Sequence, residues 1–188
     1  MSRLSTLSPQ AIKAMYSPDS DDTLIALITI YNPANNTVPV VRLADNFTTH
    51  FTSPVPIGLS TVVNKQTDAE EIIYGVIGPG NEKFIFLPMG LTLPDETAGQ
   101  SPKCTITLFD VAGYLTPLIR EISDPPLIKI QLVLASNPIN VEITFTDFYM
   151  TNISYTRESI QAELNIINLD REPFPQHKFT PAYFPGLF

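Results

Sequence analysis

The sequence predicts a mainly β fold of the α+β type, an antiparallel β-sandwich or barrel with two short helices and an extended C-terminal arm. Three observations carry this. The second half of the chain holds successive segments that alternate apolar and polar residues with a period of two, joined by short turns. Only two stretches have helical character, and both are short. The last residues, EPFPQHKFTPAYFPGLF at 172–188, are too rich in proline for a helix and too apolar for an ordinary solvated terminus.

Taken in order, Ser8 is placed to cap a first helix, Pro9 occupies its first position, and QAIKAMY follows. Pro18 and the acidic turn DSDD at 19–22 end it. TLIALITIYNP (23–33) reads as a strand apolar on both faces, and so buried on both. The prolines of VPVVRLADNFTTHFTSPV (38–55) predict edge positions and irregular joins. Residues 58–80 read as two strand segments around a polar loop, GPGNEK (78–83) as a turn, and KFIFLPMGLTLPDE (83–96) as a strand interrupted by Pro88. In PKCTITLFD (102–110), Cys104, Ile106 and Leu108 share one face, opposite Lys103, Thr105 and Thr107. The second helix fits GYLTPLIREI (113–122), despite Pro117.

Four strands are then expected as an antiparallel meander. LIKIQLVLA (127–135) puts Ile128, Ile130, Leu132 and Leu134 on one side, and SNP (136–138) is a hairpin turn. INVEITFTDF (139–148) aligns Val141, Ile143 and Phe145, and YMTNISY (149–155) and SIQAELNII (159–167) continue the alternation. Residues 1–171 are assigned to a single β-rich domain with a short N-terminal helix, and 172–188 to the extended arm.

Composition narrows the function. The chain is 44% hydrophobic and only 16% charged, against about 25% charged in an average soluble domain. So little charge leaves surface suited to burial in an assembly. A net charge of -8 with no Lys/Arg cluster argues against specific nucleic-acid binding, which needs a basic patch to displace counterions. No apolar run reaches membrane-spanning length, and MSRLSTLSPQ lacks the apolar core of a signal peptide, so no membrane partner is expected. Without a signal peptide, the acceptor patterns at Asn35, Asn46 and Asn152 are read as coincidental.

Catalytic and metal patterns are weak. His50 and His177 are the only histidines, far apart in sequence, with no H-x-x-x-H spacing, and both read as surface residues. One cysteine, Cys104, excludes an internal disulfide and an all-cysteine metal site, and its apolar alternation partners make it a small buried hydrophobe rather than a nucleophile. DSDDT (19–23) begins like a calcium loop, but Leu24 stands where the loop needs glycine and no glutamate closes it. GPG is a turn and no phosphate-binding glycine motif occurs. Glu70-Glu71 and Asp95-Glu96 are read as solvated loop carboxylates. No catalytic, cofactor-binding or metal residue is therefore assigned, no cofactor is expected, and the chain is not read as an enzyme.

LTLPDETAGQSPKCTITLFDV (91–111), LIKIQLVLASNPINVEI (127–143) and the terminal EPFPQHKFTPAYFPGLF together resemble a family of bacteriophage tail proteins. The likeness spans most of residues 83–188, its specific part is the C-terminal motif, and FDV stands here where the family more often has DNV. The resemblance implies a tail-tip or hub protein of a long-tailed siphophage, made in the host cytoplasm and located in the virion. The implied partners are other tail proteins: tail tube or distal tail protein, tape measure, and central fibre or hub. It also implies a homo-oligomeric ring, a trimer in preference to a hexamer. Phe174, Phe179, Tyr183, Phe184, Leu187 and Phe188 are the expected interface residues, on an arm that proline pre-orders for docking on its own sheet or on a neighbour. NKQTDAEEIIYGVIGPGNEK (64–83) is a second candidate, as a hairpin reaching outward. The rival reading is a carbohydrate-binding or cell-wall-degrading tail module, although the chain has no Trp for stacking sugars.

Overall fold

Six successive residues, Ile25 to Ile30, are buried in the first strand, β1 (Leu24–Asn32). Ala26, Ile28 and Ile30 enter the main core, while Ile25 and Leu27 enter a second core on the opposite face. The expected burial on both faces is what the computed structural model of the chain shows. It describes residues 7–17, 22–52, 72–92, 104–110, 113 and 115–166.

Around β1 the chain builds one ten-stranded sheet. In chain order the other strands are β2 (Asn35–Ala44), β3 (Thr49–Thr52), β4 (Ile72–Ile77), β5 (Lys83–Phe86), β6 (Met89–Thr92), β7 (Cys104–Leu108), β8 (Leu127–Leu134), β9 (Asn137–Tyr155) and β10 (Ile160–Ile166). Their order across the sheet is β3-β4-β5-β2-β1-β8-β9-β10-β7-β6. The fold is mainly β, as expected. The sheet is mixed rather than purely antiparallel, because β5 pairs with β2 in parallel, at Leu43–Ile85 and Ala44–Phe86. Of the prolines in 38–55 the structure describes Pro39, and it does not keep β2 out of the interior. Pro39 sits at a register shift opposite Tyr31, and β5 reaches β2 only at its far end, so the proline's missing N–H breaks no regular ladder.

The sheet folds over on itself. Across the ladder β5 and β6 lie seven strands apart, which in a flat sheet is about 35 Å. Yet only Leu87 and Pro88 separate them in the chain, and that link spans at most about 11 Å. The Leu87 N–H donates to the Ala44 carbonyl (2.9 Å) and the Phe109 N–H donates to the Pro88 carbonyl (3.0 Å), stitching the end of β2 to the end of β7. Among the described residues no ladder joins β6 to β5 or β2, so the sheet stays open.

The turn-over happens at β9. The sequence predicts two strands over 139–155; the structure has one of 19 residues, so the meander has three strands rather than four. Asn137–Tyr149 pairs with β8 and Phe148–Tyr155 with β10. Asp147 takes a positive φ of 66° beside a register shift, a bulge that lets one strand serve two differently directed neighbours. The bulge shifts the phase of the alternation by one residue, from Phe145 to Phe148 and Met150, within a single continuous strand.

The two helices among the described residues each bury apolar side chains against the sheet. In α1 (Pro9–Tyr16) the Ser8 hydroxyl accepts from the Ala11 N–H, as its capping position predicts. Leu7 and Ala11 then pack on Leu134, with Ala14, Leu24 and Ile143 alongside. Ser8 also donates its N–H (2.9 Å) and hydroxyl (2.8 Å) to the Glu142 carboxylate. The second helix, α2, is shorter than predicted, Leu115–Arg120. Pro117 is tolerated because first-turn N–H groups have no intrahelical partner to lose. Leu115 and Ile119 turn into the main core.

Candidate interaction surface

Where large apolar side chains stay exposed, the local sequence explains why. The hairpin β4–β5 turns through a 3-10 turn, Pro79–Asn81, in which Gly80 and Asn81 both take positive φ. The alternation along β4 and β5 sends Val76 and Phe84 into the second core with Ile25, Leu27, Ala44 and Val133. By the same parity Tyr74 and Phe86 fall on that outer side, beyond the edge of the core. Phe47, from the β2–β3 join, lies against both: 5.0 Å from the Tyr74 ring and 5.3 Å from the Phe86 ring, tilted and edge-on. Tyr74 is 51% exposed and Phe47 47%. Around them stand exposed Asn46, Thr48 and His50, with His50 paired to Tyr74 across β3–β4.

A second apolar patch lies on α1. Ala11 and Ala14 face inward, so residues at the complementary three-four spacing, Ile12, Met15 and Tyr16, face out. Tyr16 is 70% exposed, and Ile139, near the start of β9, is 60% exposed.

A third surface is polar but nearly uncharged. The outer sides of β6, β7, β10 and the far half of β9 carry Thr92, Thr105, Thr151, Asn152, Gln161, Glu163 and Asn165. They are tied by hydrogen bonds: Thr92 Oγ1 to Thr105 Oγ1 at 2.7 Å, Asn152 Nδ2 to Glu163 Oε2 at 2.7 Å, and Asn165 Nδ2 to Thr151 Oγ1 at 2.6 Å. Side chains already engaged with one another need less water, so such a face is cheaper to bury than a charged one.

Electrostatics add one pinned contact. Arg42 on β2 forms an ion pair with Glu82, just after the 3-10 turn, and so holds the β4–β5 hairpin against the sheet. Burial, then the nearby Glu82 carboxylate, pushes the Tyr31 hydroxyl above its ordinary pKa. Burial raises Asp45 as well, although its carboxylate accepts the Ala26 N–H at 2.9 Å.

The sequence-predicted residues fall out as follows. The arm residues Phe174, Phe179, Tyr183, Phe184, Leu187 and Phe188 lie outside the described residues, as do His177, Asp95, Glu96 and positions 64–71 with Glu70 and Glu71. The described part of the 64–83 hairpin does not project. Gly78 sits against the Leu27 and Phe84 side chains, where a Cβ would come within 2.9 Å and 2.6 Å of them. Cys104 is 1% exposed, and burial pushes its thiol up to about 11, so it is a core group and not a thiolate. Asp22 of the acidic turn accepts from the Ser136 N–H and hydroxyl. Among the described residues, no three His, Cys, Asp or Glu side chains are grouped to hold a metal, and no helix is long and apolar enough to cross a membrane.

Sequence reasoning missed the Phe47–Tyr74–Phe86 cluster, whose members come from three separate segments. The outward stripe of α1 was within reach, since the three-four spacing of Ile12, Met15 and Tyr16 is plain in QAIKAMY. Compared with known proteins, the chain matches no family model and no curated protein.

Proposed function

We propose that this chain is a structural component of a bacteriophage tail tip, a hub or baseplate ring protein that links the tail tube to the central fibre by protein–protein contact. The observation that carries the reading is the terminal motif EPFPQHKFTPAYFPGLF, with its likeness to phage tail proteins. The surface supports it: a charge-poor, internally hydrogen-bonded sheet face and two exposed apolar patches suit a molecule that works buried among neighbours. Its partners are the other tail proteins and further copies of itself, with a trimeric ring preferred, closed by unlike patches meeting head to tail.

Quantitative mass spectrometry of purified virions tests this. About three or six copies per particle is the expected result for a hub ring, and absence from the finished particle overturns the proposal. The exposed Phe47–Tyr74–Phe86 cluster favours one rival, a carbohydrate-binding tail module. A glycan array would establish that rival if binding were abolished by Tyr74→Ala.

A further inference from the structure

Of the exposed apolar surfaces, the Phe47–Tyr74–Phe86 cluster has a definite chemical preference. It offers ring faces and edges rather than aliphatic groups, on a sheet surface rimmed by Asn46, Thr48 and His50. Aromatic-lined surfaces of this kind receive proline-rich extended segments, because proline rings pack on aromatic faces and the segment is already ordered before it docks. The chain carries one such segment. Its last ten residues, FTPAYFPGLF, place Pro181 and Pro185 among Phe179, Tyr183, Phe184 and Phe188. They contain no charged side chain, so none would be desolvated by docking.

Reach decides between the same chain and another. The described chain stops at Ile166, the end of β10. Ile160 pairs with Leu108, the Phe109 N–H meets the Pro88 carbonyl, and Phe86 lies two residues before Pro88. A path from Ile166 back along β10 and through these contacts to Phe86 is about 40 Å long, an upper bound on the separation. Phe179 lies thirteen positions after Ile166, and in polyproline geometry thirteen steps span about 40 Å. Phe174 falls short of that bound, whereas Phe179 and everything after it can arrive. A tether that spans its site gives a local concentration in the millimolar range, above that of a second copy in dilute solution.

We propose that residues 179–188 dock on the Phe47–Tyr74–Phe86 cluster of their own chain, with 167–178 as the connecting tether. The idea rests on reading the C-terminus as a docking arm, and it adds where the arm rests before assembly. The same element exchanged onto a neighbour's cluster would then join two copies without any new surface.

The test uses the full-length chain with Thr48→Cys on the rim and Ala182→Cys in the arm, which leave every aromatic group in place, treated at low protein concentration with a short bis-maleimide. Buried Cys104 stays out of the reaction. A cross-linked monomer as the main product is the expected result, at least tenfold over a control pair of Lys129→Cys and Ala182→Cys. Cross-linked dimers without cross-linked monomer, or no enrichment over the control, overturns the proposal. A second reading uses the absence of Trp. Phe188→Trp supplies the one tryptophan, excited apart from the tyrosines, whose emission should shift to the red when Phe47→Ala and Tyr74→Ala are added; an unchanged spectrum also overturns it. Neither result depends on whether the chain is found in virions, so failure here and failure of the tail-tip reading are separate outcomes.

Discussion

At the residue scale the main forces are burial and backbone satisfaction. Ile28 has no exposed surface and packs in the main core, so Ile28→Ala should cost about 2–5 kcal/mol, measured by urea unfolding. Asp110 is buried and holds the start of α2, accepting the Leu115 N–H (2.9 Å), the Thr116 N–H (3.0 Å) and the Thr116 hydroxyl (3.1 Å). Asp110→Ala should therefore destabilise by about 1–3 kcal/mol, since it leaves those donors unpaired. Cys104, its thiol raised to about 11 by burial, should resist alkylation in the folded protein at pH 8 and react on unfolding. Rapid labelling of the native chain would refute this. Burial raises the folded pKa of Asp45, so the folded state there holds its proton more tightly than the unfolded state. Its effect on stability is most favourable below the unfolded carboxylate range and is lost as pH rises through the folded pKa. Asp45→Asn should accordingly gain melting temperature relative to the parent at pH 7 and not at pH 3, as parallel thermal melts would show.

At the element scale, local pattern made much of the fold legible and long-range pairing made the rest illegible. Ser8-Pro9 announces α1, the unbroken apolar run announces β1 as doubly buried, and Cys104, Ile106 and Leu108 declare the inner side of β7. Each of these is decided by neighbours in sequence. The join at Leu87–Pro88 reads locally as a proline break in one strand, yet it hands the chain from one side of the curled sheet to the other. Nothing within ten residues encodes that. The bulge at Asp147 shows only as a slip of one residue in the alternation, from Phe145 to Phe148, which a sequence reading takes as a break between two strands. The aromatic cluster, like the join at Leu87–Pro88, was out of reach, assembled as it is from residues 47, 74 and 86. The β3–β4–β5 hairpins also depend on a missing side chain. A Cβ at Gly75 would stand 2.1 Å from the Phe84 carbonyl oxygen and 2.6 Å from the Phe51 ring. Since backbone must move to admit it, Gly75→Ala should cost at least about 1–3 kcal/mol. A variant as stable as the parent in the same urea assay would show that β4 and β5 can separate freely.

At the scale of the whole molecule, edges and joins matter most. β3 and β6, the outermost strands, have four residues each, too short to template much pairing with another sheet. The flank of β9 along 137–147 has no strand partner among the described residues, but Pro138 and successive register shifts bend it away from a flat edge. The proposed assembly is therefore expected to run through exposed side chains and the terminal arm rather than by strand addition. Deleting 172–188 should leave a soluble, folded chain that no longer assembles; loss of folding, read by circular dichroism, would instead make the arm part of the domain's own core.

The position of β1 has a consequence for how the protein is made. One of its flanks is completed by β8, whose residues lie about a hundred positions later in the chain: Leu27 is opposite Gln131. At ordinary translation rates the ribosome takes roughly 5–20 s to deliver them. Throughout that interval the nascent chain carries ALITI, the greasiest stretch of the strand, with a vacant edge and no lid. The cell must shield it, or the chain must fold only after release, and the yield of active protein should then depend on the supply of chaperones that bind apolar segments during synthesis.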